Sequence, residues 1–143
     1  MTVKSILDSK GTDVATVEPT TDIASAVSLL AAHNIGALIV IDTNQRVAGI
    51  ISERDVIREM ADRGVEALRL AVRDVMTPEP VTCSRRDTIS TVMELMTAGR
   101  FRHLPVVERG QLIGIISIGD VVKHRLHEIE SETATLRDYI RNA

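Results

Sequence analysis

Apolar residues along this chain follow two rhythms in turn, and the whole succession is run through twice. A short β-branched stretch over residues 14–17 predicts a strand. Behind the polar Asp22, apolar positions at Ile23, Ala26, Val27 and Leu30 keep the helical spacing, so a helix opens there and ends near His33-Asn34. Residues 37–41 and 47–51 flank the polar turn Asp42-Thr43-Asn44-Gln45-Arg46, which predicts a hairpin. A second helix is expected from Ser52 to about Arg63, stopped by Gly64. The same order returns as a strand at residues 80–83, a helix at 88–98, strands at 104–107 and 112–116 around Glu108-Arg109-Gly110-Gln111, and a last helix from Ser117. Each half therefore reads strand, helix, strand, strand, helix.

The repetition extends to identities. Gly49-Ile50-Ile51-Ser52-Glu53-Arg54-Asp55-Val56 returns as Gly114-Ile115-Ile116-Ser117-Ile118-Gly119-Asp120-Val121, a shift of 65 residues. Upstream, Thr16, Ile23, Leu29, Leu38 and Val40 match Thr82, Ile89, Leu95, Leu104 and Val106 at a shift of 66. The one-residue deletion belongs in the second hairpin turn. Such self-similarity marks a duplicated unit, which divides the chain into a first repeat (1–64), a connector (65–78), a second repeat (79–125) and a C-terminal helical extension (126–143). Val72-Arg73-Asp74-Val75-Met76 resembles Val3-Lys4-Ser5-Ile6-Leu7, so each repeat is expected to carry its own lead-in turn. The last helix has no glycine to stop it and can run to Asn142. Along it Val122, Leu126, Ile129, Thr133, Leu136 and Ile140 are spaced 4, 3, 4, 3 and 4, a heptad seam. That seam either packs on its own domain or contacts a partner helix, most simply in a homodimer.

Composition narrows the function. At 143 residues and 44% apolar content the chain is the size of one module with a core. Phe101 and Tyr139 are the only aromatics, so Val, Ile, Leu, Ala and Met must fill the interior, and base stacking is nearly excluded. The net charge is −3 and no basic run exceeds Arg85-Arg86, which argues against nucleic acid. Cys83 stands alone, and the N-terminal residues lack the apolar run of a signal peptide, so a cytoplasmic location is expected. Apolar stretches such as 37–41 are far too short for membrane insertion. His33, His103, His124 and His127 show no metal-site spacing with a carboxylate. Cys83 with His103, or Ser52 with His33, lacks the glycine pattern and third orienting group of nucleophilic catalysis, so no enzyme is expected.

The duplicated Gly-Ile-Ile-Ser-x-x-Asp block carries the chemistry. Ser-x-x-Asp at a helix start is close to a capping box, which stabilises the helix by ~1 kcal/mol. The strand before it brings that helix N-terminus to a strand end, where free N–H groups and the Ser hydroxyl suit a phosphate. One turn in, the Asp carboxylate can accept from two adjacent hydroxyls, as a ribose presents them.

On these residues, and on the stretches Asn34-Ile35-Gly36-Ala37-Leu38-Ile39-Val40 and Arg100-Phe101-Arg102-His103-Leu104-Pro105-Val106, the chain resembles a tandem pair of CBS (cystathionine β-synthase) domains, a stand-alone Bateman module. The resemblance covers nearly the whole chain. It implies an α/β fold of two β-α-β-β-α repeats packed sheet to sheet with pseudo-twofold symmetry. It also implies two clefts for an adenosine-containing ligand: AMP, ADP or ATP, with NAD possible in one cleft, or S-adenosylmethionine as in some members. By the same resemblance Asp55 and Asp120 hold ribose, Ser52 and Ser117 meet the sugar or phosphate, and Ile50 and Ile115 wall the adenine. Gly36-Ala37 and Arg102-His103-Leu104 supply contacts at the strand entries, and Thr21 reaches the base or phosphate. The clefts should differ, since Arg54 faces Gly119 across the repeat and Gly36-Ala37 face Arg102-His103. His103 reads equally as a neutral strand-edge imidazole or a phosphate contact, and Pro105 as an edge-strand feature. A regulatory module acting on an unknown target protein follows, with a ligand-free interaction or dimerisation module as the alternative.

Overall fold

The protein is described by a computed structural model covering residues 1–142. Local signals set most of its elements. Helix α2 (Ile23–His33) is capped by Asp22, which accepts from the Ser25 N–H, and ends on Asn34 in the left-handed region at φ 52°. Its counterpart α5 (Ile89–Gly99) is capped by Thr88 and ends on Arg100 at φ 55°. Asn tolerates that conformation and Arg does so at a cost of roughly 1–2 kcal/mol. The hairpin β2 (Ala37–Ile41) and β3 (Val47–Ser52) is repeated by β5 (His103–Glu108) and β6 (Gln111–Ser117), with matching bulges at Val40/Ile41 and Val106/Val107. Helix α3 (Glu53–Arg63) stops at Gly64, whose φ is 65°, while α6 (Ile118–Arg141) continues without a stop.

The two halves differ at their first strand. β1 (Thr16–Val17) pairs parallel with β2, helped by the Ile39 N–H donating to the Ala15 carbonyl at 3.2 Å. The strand expected at residues 80–83 is reduced to a single bridge between Cys83 and Val106. Pro105 occupies the position of Ile39 and has no N–H to give to Val81, the counterpart of Ala15. The first sheet is instead extended on its other side, in the order β1-β2-β3-β4, by β4 (Thr77–Pro78) from the connector.

Hydrophobic burial is organised as two cores with exchanged lead-ins. Helix α1 (Val3–Lys10) contributes Val3, Ile6 and Leu7 to the core of the second repeat, with Ile89, Val92, Leu104, Val106 and Ile116. Helix α4 (Val72–Val75) contributes Val72 to the core of the first, with Ile23, Ala26, Leu38, Val40 and Ile51. Each lead-in precedes its own repeat in sequence but packs into the core of the other. The docking is the same in both places. Val72 and Arg73 N–H groups donate to Thr21 and Pro19 at 2.7 and 3.0 Å, as Val3 and Lys4 do to Asp87 and Arg85 at 2.9 and 3.0 Å.

The glycine of the duplicated motif explains why the lead-ins fit. A Cβ on Gly114 would lie 2.7 Å from the Leu7 side chain, and one on Gly49 would lie 2.5 Å from Met76 and 2.9 Å from the Thr77 carbonyl. Only a residue without a side chain lets the visiting segment approach so closely. On β2, Leu38 and Val40 face the helices, while Ala37 and Ile39 point the other way by strand alternation and are also buried. That strand is covered on both faces, as a sheet packed on its own helices and on the other repeat requires.

The heptad seam on α6 is uncovered: Leu126, Leu136 and Ile140 are more than half exposed, and Val121 is the buried residue of the helix. Among the described residues, no helix is long and apolar enough to cross a membrane.

The exchange has a mechanical signature. Ile6→Ala, at a fully buried position, should cost about 2–5 kcal/mol. Hydrogen exchange should accelerate in α5, β5 and β6 more than in α2 and β2, and the reverse distribution would place α1 in the wrong core.

Candidate functional site

Each Gly-Ile-Ile-Ser-x-x-Asp junction folds as a reciprocal capping box. Ser52 Oγ accepts from the Asp55 N–H at 3.3 Å while Asp55 Oδ2 accepts from the Ser52 N–H at 2.9 Å. In the copy, Ser117 Oγ accepts from the Asp120 N–H at 3.2 Å and Asp120 Oδ2 from the Ser117 N–H at 2.9 Å. The cap uses Oδ2 of each carboxylate and leaves Oδ1 as an acceptor, so holding the helix and holding a diol are compatible tasks. The following N–H groups, of Glu53 and Ile118, donate to the Gly36 and Arg102 carbonyls at 3.0 and 2.8 Å, which fastens each helix start to the strand entry of its own repeat.

The cavities cross between repeats. The larger, about 740 Å³, joins Ile115 and Ser117 of the second repeat to Ala15, Ile35, Gly36 and Ala37 of the first, with Lys10, Asp13, Val14, His33 and His103 on its walls. We call it cleft A. Cleft B, about 370 Å³, joins Ile50, Ser52, Arg54 and Asp55 of the first repeat to Arg102 and His103 of the second. Glu53, Arg58, Glu79, Val81, Arg100 and Phe101 also line it. Equivalent positions therefore do equivalent work: Ala15 and Val81, Ile35 and Phe101, Ile50 and Ile115, Ser52 and Ser117.

Charge separates the clefts. In A, the Lys10 ammonium sits 2.7 Å from Asp120 Oδ2 and 3.0 Å from the Ile115 carbonyl. Burial pushes the Asp120 carboxyl up, but hydrogen bonds from Lys10 and the Ser117 N–H outweigh it and hold the group below its usual range. In B, Asp55 meets no cation closer than 4.0 Å among the described residues. His103 stands between the two. Its ring lies 3.4 Å from where a Cβ of Gly36 would be, so the glycine leaves room for it. Burial lowers the His103 pKa; Glu53 of cleft B and Asp120 of cleft A raise it, while Lys10 and Arg102 lower it further.

Of the residues expected at the site, Gly36, Ala37, Ile115 and Ser117 line cleft A, and Ile50, Ser52, Arg54, Asp55 and Arg102 line cleft B. Asp120 joins cleft A through Lys10. Three do not fit the expectation. Thr21 lines neither cleft, because its backbone docks α4. Leu104 is 1% exposed in the second core, since strand alternation turns it away from the face that carries His103. Gly119 lines neither cavity, and a side chain there would meet only Ser117 Oγ at 3.6 Å. Lys10 went unrecognised because its role depends on α1 crossing to the other repeat, whereas Ile35 and Phe101 were signalled by their equivalence under the 66-residue shift.

Two capped strand-to-helix junctions facing each other's repeat across paired clefts define a tandem two-cleft module. The CBS domain profile matches this chain twice, over residues 3–62 and 72–127, and the chain belongs to that family. It is 37% identical over 148 residues, 98% of this chain and 72% of the relative, to the CBS domain-containing protein CBSX3, mitochondrial, of Arabidopsis thaliana. The crystal structure of the CBS-domain containing protein ATU1752 from Agrobacterium tumefaciens superposes with a TM-score of 0.84 at 49% identity, covering 87% of this chain and 92% of that one. CBSX2, solved in complex with AMP, gives a TM-score of 0.72 at 26% identity, covering 88% of this chain and 97% of that one.

The Lys10–Asp120 contact makes an acid-dependent contribution to stability. A carboxyl with a depressed folded-state pKa stabilises the fold above its unfolded value, near 3.8 here, and loses that contribution as pH falls through the folded value. Urea unfolding of Lys10→Met should show a deficit below about 1 kcal/mol at pH 6 that shrinks as the pH is taken below 3.8. A gap that is constant with pH would remove the ion pair from the account.

Proposed function

We propose that this protein is a ligand-sensing regulatory module whose two clefts hold adenosine-containing molecules and whose output is delivered to another protein chain. The observation that carries the reading is the pair of crossed clefts, each presenting a Ser-capped helix start, with Asp55 on the wall of cleft B and Asp120 joined to cleft A through Lys10, each Asp keeping one oxygen outside its cap. In each, the Asp grips the ribose diol, the Ser hydroxyl and the helix N-terminus face the first phosphate, and Ile50 or Ile115 packs on the base. A ligand in either cleft touches both repeats, so it stabilises their mutual arrangement and not just one half. The AMP complex of CBSX2, a relative at 26% identity, supports the ligand class. AMP, ADP, ATP, NAD and S-adenosylmethionine are the compounds to compare.

A thermal-shift panel of those compounds tests the reading. A ligand at 100 times its Kd should add about 2.7 kcal/mol of stability. Asp55→Asn and Asp120→Asn together should abolish the shift while the unliganded protein still melts cooperatively. No shift with any adenosine compound on the wild-type protein would refute nucleotide sensing.

The exposed seam favours a second feature of the same module, self-association through α6. Its apolar residues repeat at coiled-coil spacing over several turns, which suits a second copy of the same helix. Leu126→Asp with Ile129→Asp should halve the mass measured by sedimentation. An unchanged mass would remove α6 from the assembly.

A further inference from the structure

We infer that cleft B is the polyphosphate site of the pair: it selects nucleotides by their number of phosphates, and cleft A does not. This rests on the nucleotide reading above and adds which cleft takes which charge. Four guanidiniums line cleft B, from Arg54 and Arg58 on α3 and from Arg100 and Arg102 at the strand entry of the other repeat. Among the described residues, none of the four has a carboxylate within 4.0 Å, although Glu53, Asp55 and Glu79 line the same cleft. The cations outnumber the acids and are not consumed by them.

Two placements are unfavourable for the protein without an anion. Arg54 puts positive charge in the first turn of α3, near the positive end of the helix dipole and beside Glu53 and Asp55. Arg100 holds a left-handed backbone conformation at φ 55°, where its counterpart is the better-suited Asn34. Both penalties bring like charges together over one cavity. A row of phosphates offsets them through charge-assisted and bidentate hydrogen bonds, which guanidinium geometry favours. Cleft A offers no comparable reserve. Among the described residues Lys10 is its one Lys or Arg, already bound to Asp120 and the Ile115 carbonyl, and Gly36 replaces Arg102 at the strand entry.

Calorimetric titration with adenosine, AMP, ADP and ATP tests the inference, using the wild type, Arg54→Gln/Arg102→Gln, and Arg137→Gln as a charge control on α6. Wild-type affinity at cleft B, isolated in the Asp120→Asn background, should rise at least tenfold from AMP to ATP and fall steeply with salt. The double variant should lose that increment while AMP affinity changes less than threefold, and Arg137→Gln should keep it. AMP and ATP binding within threefold of each other, or an increment that survives in the double variant, would overturn the assignment with nucleotide sensing intact. Should no adenosine compound bind at all, nucleotide sensing fails separately, and inorganic tripolyphosphate then reads the cleft alone. Thermal stabilisation by it that disappears in the double variant supports a polyphosphate site, and its absence in the wild type overturns one.

Discussion

The structure depends on the close approach of a borrowed helix to a glycine. Gly49 and Gly114 each leave a space that a residue from the other repeat's lead-in fills, Met76 in one case and Leu7 in the other. Neither core is complete without that visitor, because Val72 and Val3 are both fully buried in the cores they join. The exchange binds the two repeats into one cooperative unit more effectively than a surface contact would. Separating them exposes buried side chains of both cores, each worth about 1.5–3 kcal/mol. It also places the C-terminal end of α1, and with it Lys10, at the mouth of a cleft built mainly from other segments.

The same Asp side chain closes a helix and faces a cavity, and this economy shapes how ligand binding relates to stability. A carboxylate already fixed by its own cap would need little further ordering to take the diol proposed above, so less entropy would be lost on binding. In cleft A that side chain also carries an ammonium, whereas in cleft B the cations stand apart from it. One duplicated motif thus yields two electrostatic environments, and the difference comes from Arg54 at a variable position of the motif and from Lys10, Arg58, Arg100 and Arg102 outside it.

Most of the local structure was legible in the sequence because its causes are local. Asp22, Thr88, Ser52 and Ser117 are caps in fact as in pattern, both hairpins fall where the polar turns put them, and α6 runs to Arg141 as the missing stop implied. What could not be read depends on choices between distant partners. Val3, Ile6 and Leu7 announce a face that must be buried, but their spacing is silent on which repeat receives it. Thr21 looked like a site residue until its carbonyl was found to dock α4. The Leu104 side chain lies in the second core, since the alternation that turns His103 to the clefts turns its neighbour inward. The strand expected at residues 80–83 failed through one missing donor in Pro105, a residue distant in sequence.

That missing donor gives the two clefts unequal walls. Ala15, on the wall of cleft A, is tied to the sheet by the Ile39 N–H at 3.2 Å. Its counterpart Val81, on the wall of cleft B, has no such tether and stands 47% exposed. The wall of cleft A is therefore tied to its sheet at a point where, among the described residues, the wall of cleft B is not. The replacement of an isoleucine by a proline thus leaves the two halves of a duplicated protein with differently anchored cleft walls.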